Sequence, residues 1–145
     1  LTMPLTKQQL LIPRVIFVGL HNKPGMKPLD SKTKSGKLID RIIEKCSENG
    51  MNVLKTNLFD VDEMPTLKEM NSLALDWIDR VPLFGDDVIV LLGAWVHSHF
   101  PPIHHTTITP IKIAHPASKR SHEDMNLYVE NTFKLIKKNI DHATN

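Results

Sequence analysis

Cysteine is almost absent from this sequence, which contains one, Cys46, in 145 residues. One cysteine excludes a disulfide framework, a four-cysteine zinc site and a self-contained iron-sulfur cluster. No apolar run approaches the length of about 18 residues that a membrane span requires, and residues 1–13 show neither a basic start nor a long apolar stretch. We therefore expect a protein of the cytoplasm, or of the nucleus where the cell has one, with no membrane partner.

An excess of charge of one sign is also lacking, since 18 Lys and Arg oppose 16 Asp and Glu for a net charge of +2. This balance alone does not imply a polyanionic partner. Between Asn22 and Lys37, however, five lysines accompany the single acid Asp30. If this segment lies beside Lys119 and Arg120, that face of the protein is basic. On charge alone, a solvated lysine-rich loop is the favoured interpretation.

The length and a hydrophobic content of 41% predict one domain over residues 1–145. Apolar runs predict strands over 14–18, 52–57, 87–92 and 108–114, and Pro110 places the last of them at a sheet edge. Helical spacing predicts helices over 35–48, 66–81 and about 121–139, and Gly93 opens a short helix towards Phe100. Strands that alternate with helices predict a parallel sheet in a three-layer α/β/α sandwich.

Polar loops follow two of these strands, over residues 19–25 and 115–118. Ligands of open α/β sheets bind at the carboxyl ends of the strands, so Asn22, Asn57 and His115 are expected on one rim. The carboxamide of Asn57 offers an acceptor beside a donor, which matches the N3-H and O4 edge of uracil or thymine and opposes cytosine. An asparagine that merely closes a turn is the alternative.

Several short motifs follow one another at a recognisable spacing. They are Gly19 to Gly25 with its Pro24-Gly25 end, Lys27-Pro28-Leu29, Ser35 to Asp40, Val53 to Asn57, Ile89 to Ala94, and His115-Pro116-Ala117-Ser118. Together they resemble the uracil-DNA glycosylase superfamily from about Arg14 to Ile140. The resemblance implies a four-stranded parallel sheet of order 2-1-3-4. It also implies a monofunctional DNA glycosylase of base excision repair, which hydrolyses the N-glycosidic bond of uracil or a related damaged base flipped out of the DNA.

The resemblance also implies roles for individual residues. Asn22 would hold the attacking water, and His21 is the competing candidate because the loop is two residues longer than the family motif. His115 would donate a hydrogen bond to the base O2 as negative charge builds there. Asn57 would read the base. Phosphate contacts would come from Ser118, Lys119, Arg120 and Lys23.

This chain departs from the family pattern at several positions. Leu29 stands where many members stack an aromatic ring on the base, and Phe59 or Met26 could substitute, although a core role for Phe59 is equally open. Lys119 and Arg120 stand where relatives often carry a leucine wedge, so intercalation would fall to Arg120 or a later residue such as Met125. No cofactor, cluster or metal is expected.

The other residues and patterns with possible chemical roles do not indicate a specific function. Four histidines, His97, His99, His104 and His105, lack the spacing of a zinc site. Trp77 and Trp95 occupy apolar helical positions, where core packing is expected. The phosphate-loop pattern Gly-x-x-x-x-Gly-Lys-Ser/Thr is absent, which argues against a nucleotide triphosphatase.

Two other functions remain open at this point. One is a non-catalytic member of the same fold that binds nucleic acid or a free nucleobase. The other is a small-molecule enzyme of the flavodoxin-like class that uses the same rim for a phosphorylated ligand. The glycosylase is preferred, with damaged DNA as its partner and a monomer as its expected state.

Overall fold

The fold alternates strands and helices throughout the part of the chain that the computed structural model describes, residues 13–103 and 108–143. The strands are β1 (Arg14–His21), β2 (Asn52–Phe59), β3 (Val88–Leu92) and β4 (Ile111–Ile113). The helices are α1 (Lys34–Glu48), α2 (Leu67–Arg80), α3 (Ala94–His99), α4 (Lys119–Glu123) and α5 (Met125–Ala143). None of these described helices has the length and apolar character needed to cross a membrane.

The four strands form one parallel sheet in the order β2-β1-β3-β4, which confirms the expected topology. The register sets Gly19 of β1 beside Asn57 of β2. Two residues further on, His21 pairs with Phe59. Because all strands run the same way, their carboxyl ends meet along one edge of the sheet, and the residues at those ends become neighbours.

Helices cover both faces of the sheet, which confirms the three layers. On one face Val15 and Phe17 pack with apolar residues of α1 and α5, such as Ile39 and Ile136. On the other face Ile16 and Val18 pack with residues of α2 and α3 that include Trp77 and Val96. The β1 side chains alternate between the two cores, as the period of two in a strand requires, and the residues from Val15 to Val18 are fully buried.

The carboxyl-terminal third differs in detail from expectation. Strand β4 is only three residues long, Ile111–Ile113, because Pro110 has no N-H to extend the ladder; its place at the sheet edge is as predicted. The single helix expected over 121–139 is wrong. Two helices form instead, and they separate at Asp124, whose φ of −140° and ψ of 88° are not helical.

Two other differences concern the ends of β1 and β2 and the position of Trp95. Strands β1 and β2 extend to His21 and Phe59, so His21 and Asn57 lie within strands and are held by the sheet. Trp95 is half exposed on α3 and stacks on His99 with ring centroids 5.5 Å apart, so the core position expected for it is wrong. Trp77 is buried as expected, and its indole N-H donates to Thr56 Oγ1 at 3.0 Å.

Candidate functional site

A cavity of about 190 Å³ opens at the carboxyl edge of the sheet. Its walls come from the end of β1, the end of β2, the loop after β1 and the loop after β4. Six of the lining residues matter for its chemistry: His21, Lys23, Leu29, Asn57, His115 and Ala117. The structure thus brings together six candidate residues named from the sequence, from positions up to 94 apart in the chain: His21, Lys23, Met26, Leu29, Asn57 and His115.

Two glycines make room for the polar groups of this cavity. A side-chain carbon at Gly19 would lie 2.5 Å from Asn57 Oδ1. At Gly93, a side-chain carbon would lie 3.1 Å from His115 Cβ, and the φ of +88° at this position is one that glycine adopts without strain. The missing side chains therefore allow the Asn57 amide and the His115 ring to pack directly against the backbone of β1 and of the β3-α3 junction.

The backbone fixes the tautomer of His115. The Ala117 N-H donates to His115 Nδ1 at 3.0 Å, so Nδ1 carries no proton. Burial of the ring, and then the positive charge of Lys23, lowers the pKa of His115 below its ordinary value. The ring is therefore neutral at pH 7, and its one proton is on Nε2, where it can be donated to a ligand.

Contacts behind His115 hold its loop in place. The Ser121 hydroxyl donates to the His115 carbonyl at 2.9 Å, and the Tyr128 hydroxyl donates to the Ala114 carbonyl at 2.6 Å. Ser118, selected as a phosphate contact, caps α4: its Oγ accepts from the Ser121 N-H at 3.2 Å and also pairs with the Ser121 hydroxyl. A phosphate contact by Ser118 Oγ would compete with this cap.

His21 has the opposite tautomer. Its Nδ1 lies 2.9 Å from the carbonyl oxygen of Asn22. A carbonyl oxygen can only accept, so Nδ1 must carry the proton. In the neutral ring Nε2 is then an acceptor. The cavity therefore contains one imidazole whose Nε2 donates, His115, and one whose Nε2 accepts, His21.

Asn22 does not line the cavity but lies behind Asn57. Its Oδ1 accepts from Asn57 Nδ2 at 2.8 Å, and its Nδ2 donates to Asp60 Oδ1 at 2.9 Å. Its backbone N-H donates to the Val61 carbonyl at 2.9 Å. Both ends of the Asn22 side-chain amide are thus engaged by protein atoms, whereas the neighbouring His21 lines the cavity.

The loop after β1 is tied to the sheet by Lys55. The Lys55 ammonium donates to the Leu29 carbonyl at 2.8 Å and to Asp40 Oδ1 at 2.6 Å. Leu29 has a φ of +49°, which a leucine rarely adopts, and its side chain packs over Gly19. The Lys55 contacts offset the cost of this conformation, which holds the Leu29 side chain at the cavity wall.

The remaining selected residues fall in different places. Phe59 is fully buried in the core with α2, which agrees with its core interpretation and leaves no ring face for a base. Met26 is exposed and lines the cavity. Lys23, Lys27 and Asp30 line the cavity as well, so two cations and one anion leave a small positive excess on the side of the first loop. The side chains of Lys119 and Arg120 lie outside the described residues, although their backbone begins α4.

A metal site does not form in the part of the chain that is described. No group of three His, Cys, Asp or Glu side chains has the required proximity in residues 13–103 and 108–143. His97 Nε2 lies 3.0 Å from the Leu91 carbonyl, which gives it a structural partner. His104 and His105 lie outside the described residues.

Sequence reasoning missed two residues that shape the site, Asp60 and Lys55. Asp60 contacts a residue 38 positions away, and no local pattern reveals such a pairing. Lys55 left a signal, since a partly buried lysine in the middle of a strand, directly before the buried Thr56, needs a polar partner. That partner could not be identified before the loop after β1 was placed.

Comparison with known proteins adds no family assignment. The sequence was compared with protein-family models and with curated proteins, and it matches none of them. The functional assignment therefore rests on the residues of the cavity and on the motifs that place them there.

Proposed function

We propose that this protein is a monofunctional DNA glycosylase that removes uracil or a related damaged base from DNA. The observation that carries the proposal is the pair of histidines in one cavity, whose backbone partners leave His115 as a donor and His21 as an acceptor. Asn57 adds a carboxamide to the same cavity. Hydrolysis of a glycosidic bond to a pyrimidine needs these three functions: activation of water, stabilisation of the departing base, and recognition of that base.

The water would be activated by His21. As the bond between C1′ and the base N1 breaks, its electron pair leaves with the base, and the oxygen of a water bonds to C1′. The proton released by that water can pass to His21 Nε2, which accepts because Nδ1-H is committed to the Asn22 carbonyl. Such a positioned general base contributes about 10²- to 10⁴-fold to a rate.

The departing base would be stabilised by His115. Negative charge on N1 is shared with O2, and the neutral His115 ring can direct its Nε2-H at that oxygen. The donor is fixed before the reaction, because the Ala117 N-H holds the ring and the Ser121 hydroxyl holds its backbone. A donor fixed in advance stabilises developing charge more than a donor that must reorient during the reaction.

The base would be recognised by Asn57. Its Oδ1 lies over Gly19, and among the described residues no hydrogen bond engages this oxygen. An acceptor at this point suits the N3-H of uracil, and the second Nδ2 hydrogen suits O4. Leu29, in place of an aromatic ring, gives an apolar wall with weaker stacking.

Incubation with a labelled uracil-containing oligonucleotide, followed by alkali, tests the proposal. We expect cleavage at the uracil position and none in the same strand with thymine. Free uracil should appear in equal amount with the abasic site, because hydrolysis of each glycosidic bond yields one of each. If the protein binds the strand but leaves uracil in place, the non-catalytic binding function replaces the glycosylase; if it neither binds nor cleaves, the small-molecule enzyme does.

DNA binding should depend strongly on salt because lysines supply the phosphate contacts. With three or four phosphates neutralised, affinity should fall by roughly 40- to 150-fold between about 50 and 200 mM salt. Replacing Lys119 and Arg120 with alanine should lower the slope of this dependence by about two, whatever the base sequence. Fluorescence anisotropy measures both effects.

Lys137 and Lys138 provide the matched control for the replacement of Lys119 and Arg120. They line a separate groove of about 610 Å³ between α1 and α5, away from the cavity, and their replacement with alanine removes the same charge. We expect this control variant to keep the parent slope. An equal reduction of the salt-dependence slope in both variants would mean that the net charge, rather than a defined face, determines DNA binding.

A further inference from the structure

Asp60 accepts a hydrogen bond from Asn22, the residue that in turn contacts Asn57. Asp60 is exposed and has no place in the wall of the cavity. An ionised carboxylate can only accept hydrogen bonds. Asn22 must therefore turn its Nδ2 towards Asp60, at 2.9 Å, and its Oδ1 the other way.

The orientation of the Asn22 amide in turn fixes the orientation of the Asn57 amide. Since Asn22 presents Oδ1, Asn57 must present Nδ2 to it, and this contact is 2.8 Å long. The Oδ1 of Asn57 is then directed away from Asn22, over Gly19. A carboxamide alone could take either orientation, because its two ends have nearly the same shape. Among Asp60, Asn22 and Asn57, only the Asp60 carboxylate cannot present a donor in place of an acceptor.

We propose that Asp60 is a positioning residue that sets the orientation of the Asn57 amide through Asn22 and thereby sets which base the cavity accepts. The proposal rests on the proposed function for the identity of the ligand, but the orientation itself is a property of the protein. With the amide as it stands, an acceptor and a donor face the N3-H and O4 of uracil. Reversed, the same amide would present the pattern that suits the N3 and exocyclic amine of cytosine.

Replacing Asp60 with asparagine tests this. The new amide has nearly the shape of the carboxylate but can offer either an acceptor or a donor to Asn22, so both orientations of Asn57 become accessible. We expect the preference for uracil over cytosine, measured as the ratio of binding constants for strands with a non-hydrolysable 2′-fluoro nucleotide, to fall by about tenfold. Asp60→Glu keeps an acceptor-only group and should recover much of the preference.

Asp62→Asn is the matched control. Asp62 is exposed in the same loop, two residues away, and its replacement removes the same charge without touching Asn22. We expect Asp62→Asn to keep the parent ratio. If Asp60→Asn keeps the parent ratio, the proposal is overturned; if Asp62→Asn lowers the ratio as much as Asp60→Asn does, charge rather than orientation is responsible, which also overturns it.

A second measurement needs neither DNA nor activity. The side-chain amide protons of Asn57, identified by their loss in Asn57→Ala, should give one protected pair of NMR signals in the parent protein. In Asp60→Asn we expect a second set of signals or faster exchange with solvent. An unchanged single set would overturn the proposal even if uracil excision is found, and a parent that excises no uracil but shows the second set in Asp60→Asn would overturn the glycosylase function alone.

Discussion

Replacing His115 with alanine should lower the single-turnover rate of uracil excision by about two orders of magnitude or more. The change removes the Nε2-H donor that would face O2 as the base departs, and loss of one such donor costs about 10²- to 10³-fold in comparable oxyanion sites. Affinity for the uracil strand should change little, because the contact strengthens only as charge develops. Rapid-quench kinetics with enzyme in excess, together with anisotropy, separates the two quantities.

The controls for this experiment come from two further substitutions. His122→Ala removes an imidazole seven residues away, outside the cavity lining, and should keep the parent rate. His115→Gln keeps an N-H donor at a similar reach and should lose less than His115→Ala. A parent rate in folded His115→Ala, or an equal loss in His122→Ala, would remove His115 from the proposed mechanism.

Much of the fold follows from local sequence patterns. The continuous apolar runs of β1 and β3 and the helical spacing in α1 and α2 predict a parallel sheet covered on both faces, and this is what forms. The boundaries follow less well. Pro110 shortens β4 because it has no N-H for the ladder, and Asp124 interrupts the last helix because its Oδ1 accepts from the Leu127 N-H at 2.9 Å and so caps a new helix.

For the site, too, some features follow from the sequence and others do not. That Asn57 and His115 share one cavity with a residue of the first loop is expected, because parallel strands bring their carboxyl ends together; the sequence favours Asn22 as that residue, whereas His21 lines the cavity. The roles within the cavity do not follow from the sequence. Each tautomer depends on one backbone atom, the Asn22 carbonyl or the Ala117 N-H, whose position the pattern of residue types does not specify.

In the loop after β1, the sequence does not determine which of two neighbouring residues lines the cavity. Its length leaves the register between this chain and the shorter family motif undetermined, so on sequence Asn22 is the first candidate and His21 competes with it. The structure separates them, because Asn22 binds Asn57 and Asp60 with its two amide ends while His21 lines the cavity. A long-range contact, absent from any local pattern, distinguishes the two.

Replacing His21 with alanine should produce the second large loss of excision rate. Loss of the acceptor for the water proton should lower the excision rate by about 10²- to 10⁴-fold. The preference for uracil over cytosine should stay at the parent value, since the His21 ring contacts only the backbone carbonyl of Asn22 and the side-chain contacts among Asn57, Asn22 and Asp60 remain. Added imidazole, which can enter the space left by the ring, should restore part of the rate, and single-turnover kinetics with and without imidazole measures this.

Asn22→Ala should behave in the opposite way. It removes the side-chain amide that links Asp60 to Asn57, so the preference for uracil should fall while the rate on uracil falls less than in His21→Ala. The two variants therefore separate water activation from base recognition. If Asn22→Ala abolishes excision and His21→Ala leaves it intact, the water is held by Asn22, and the amide must leave Asp60 and Asn57 when DNA binds.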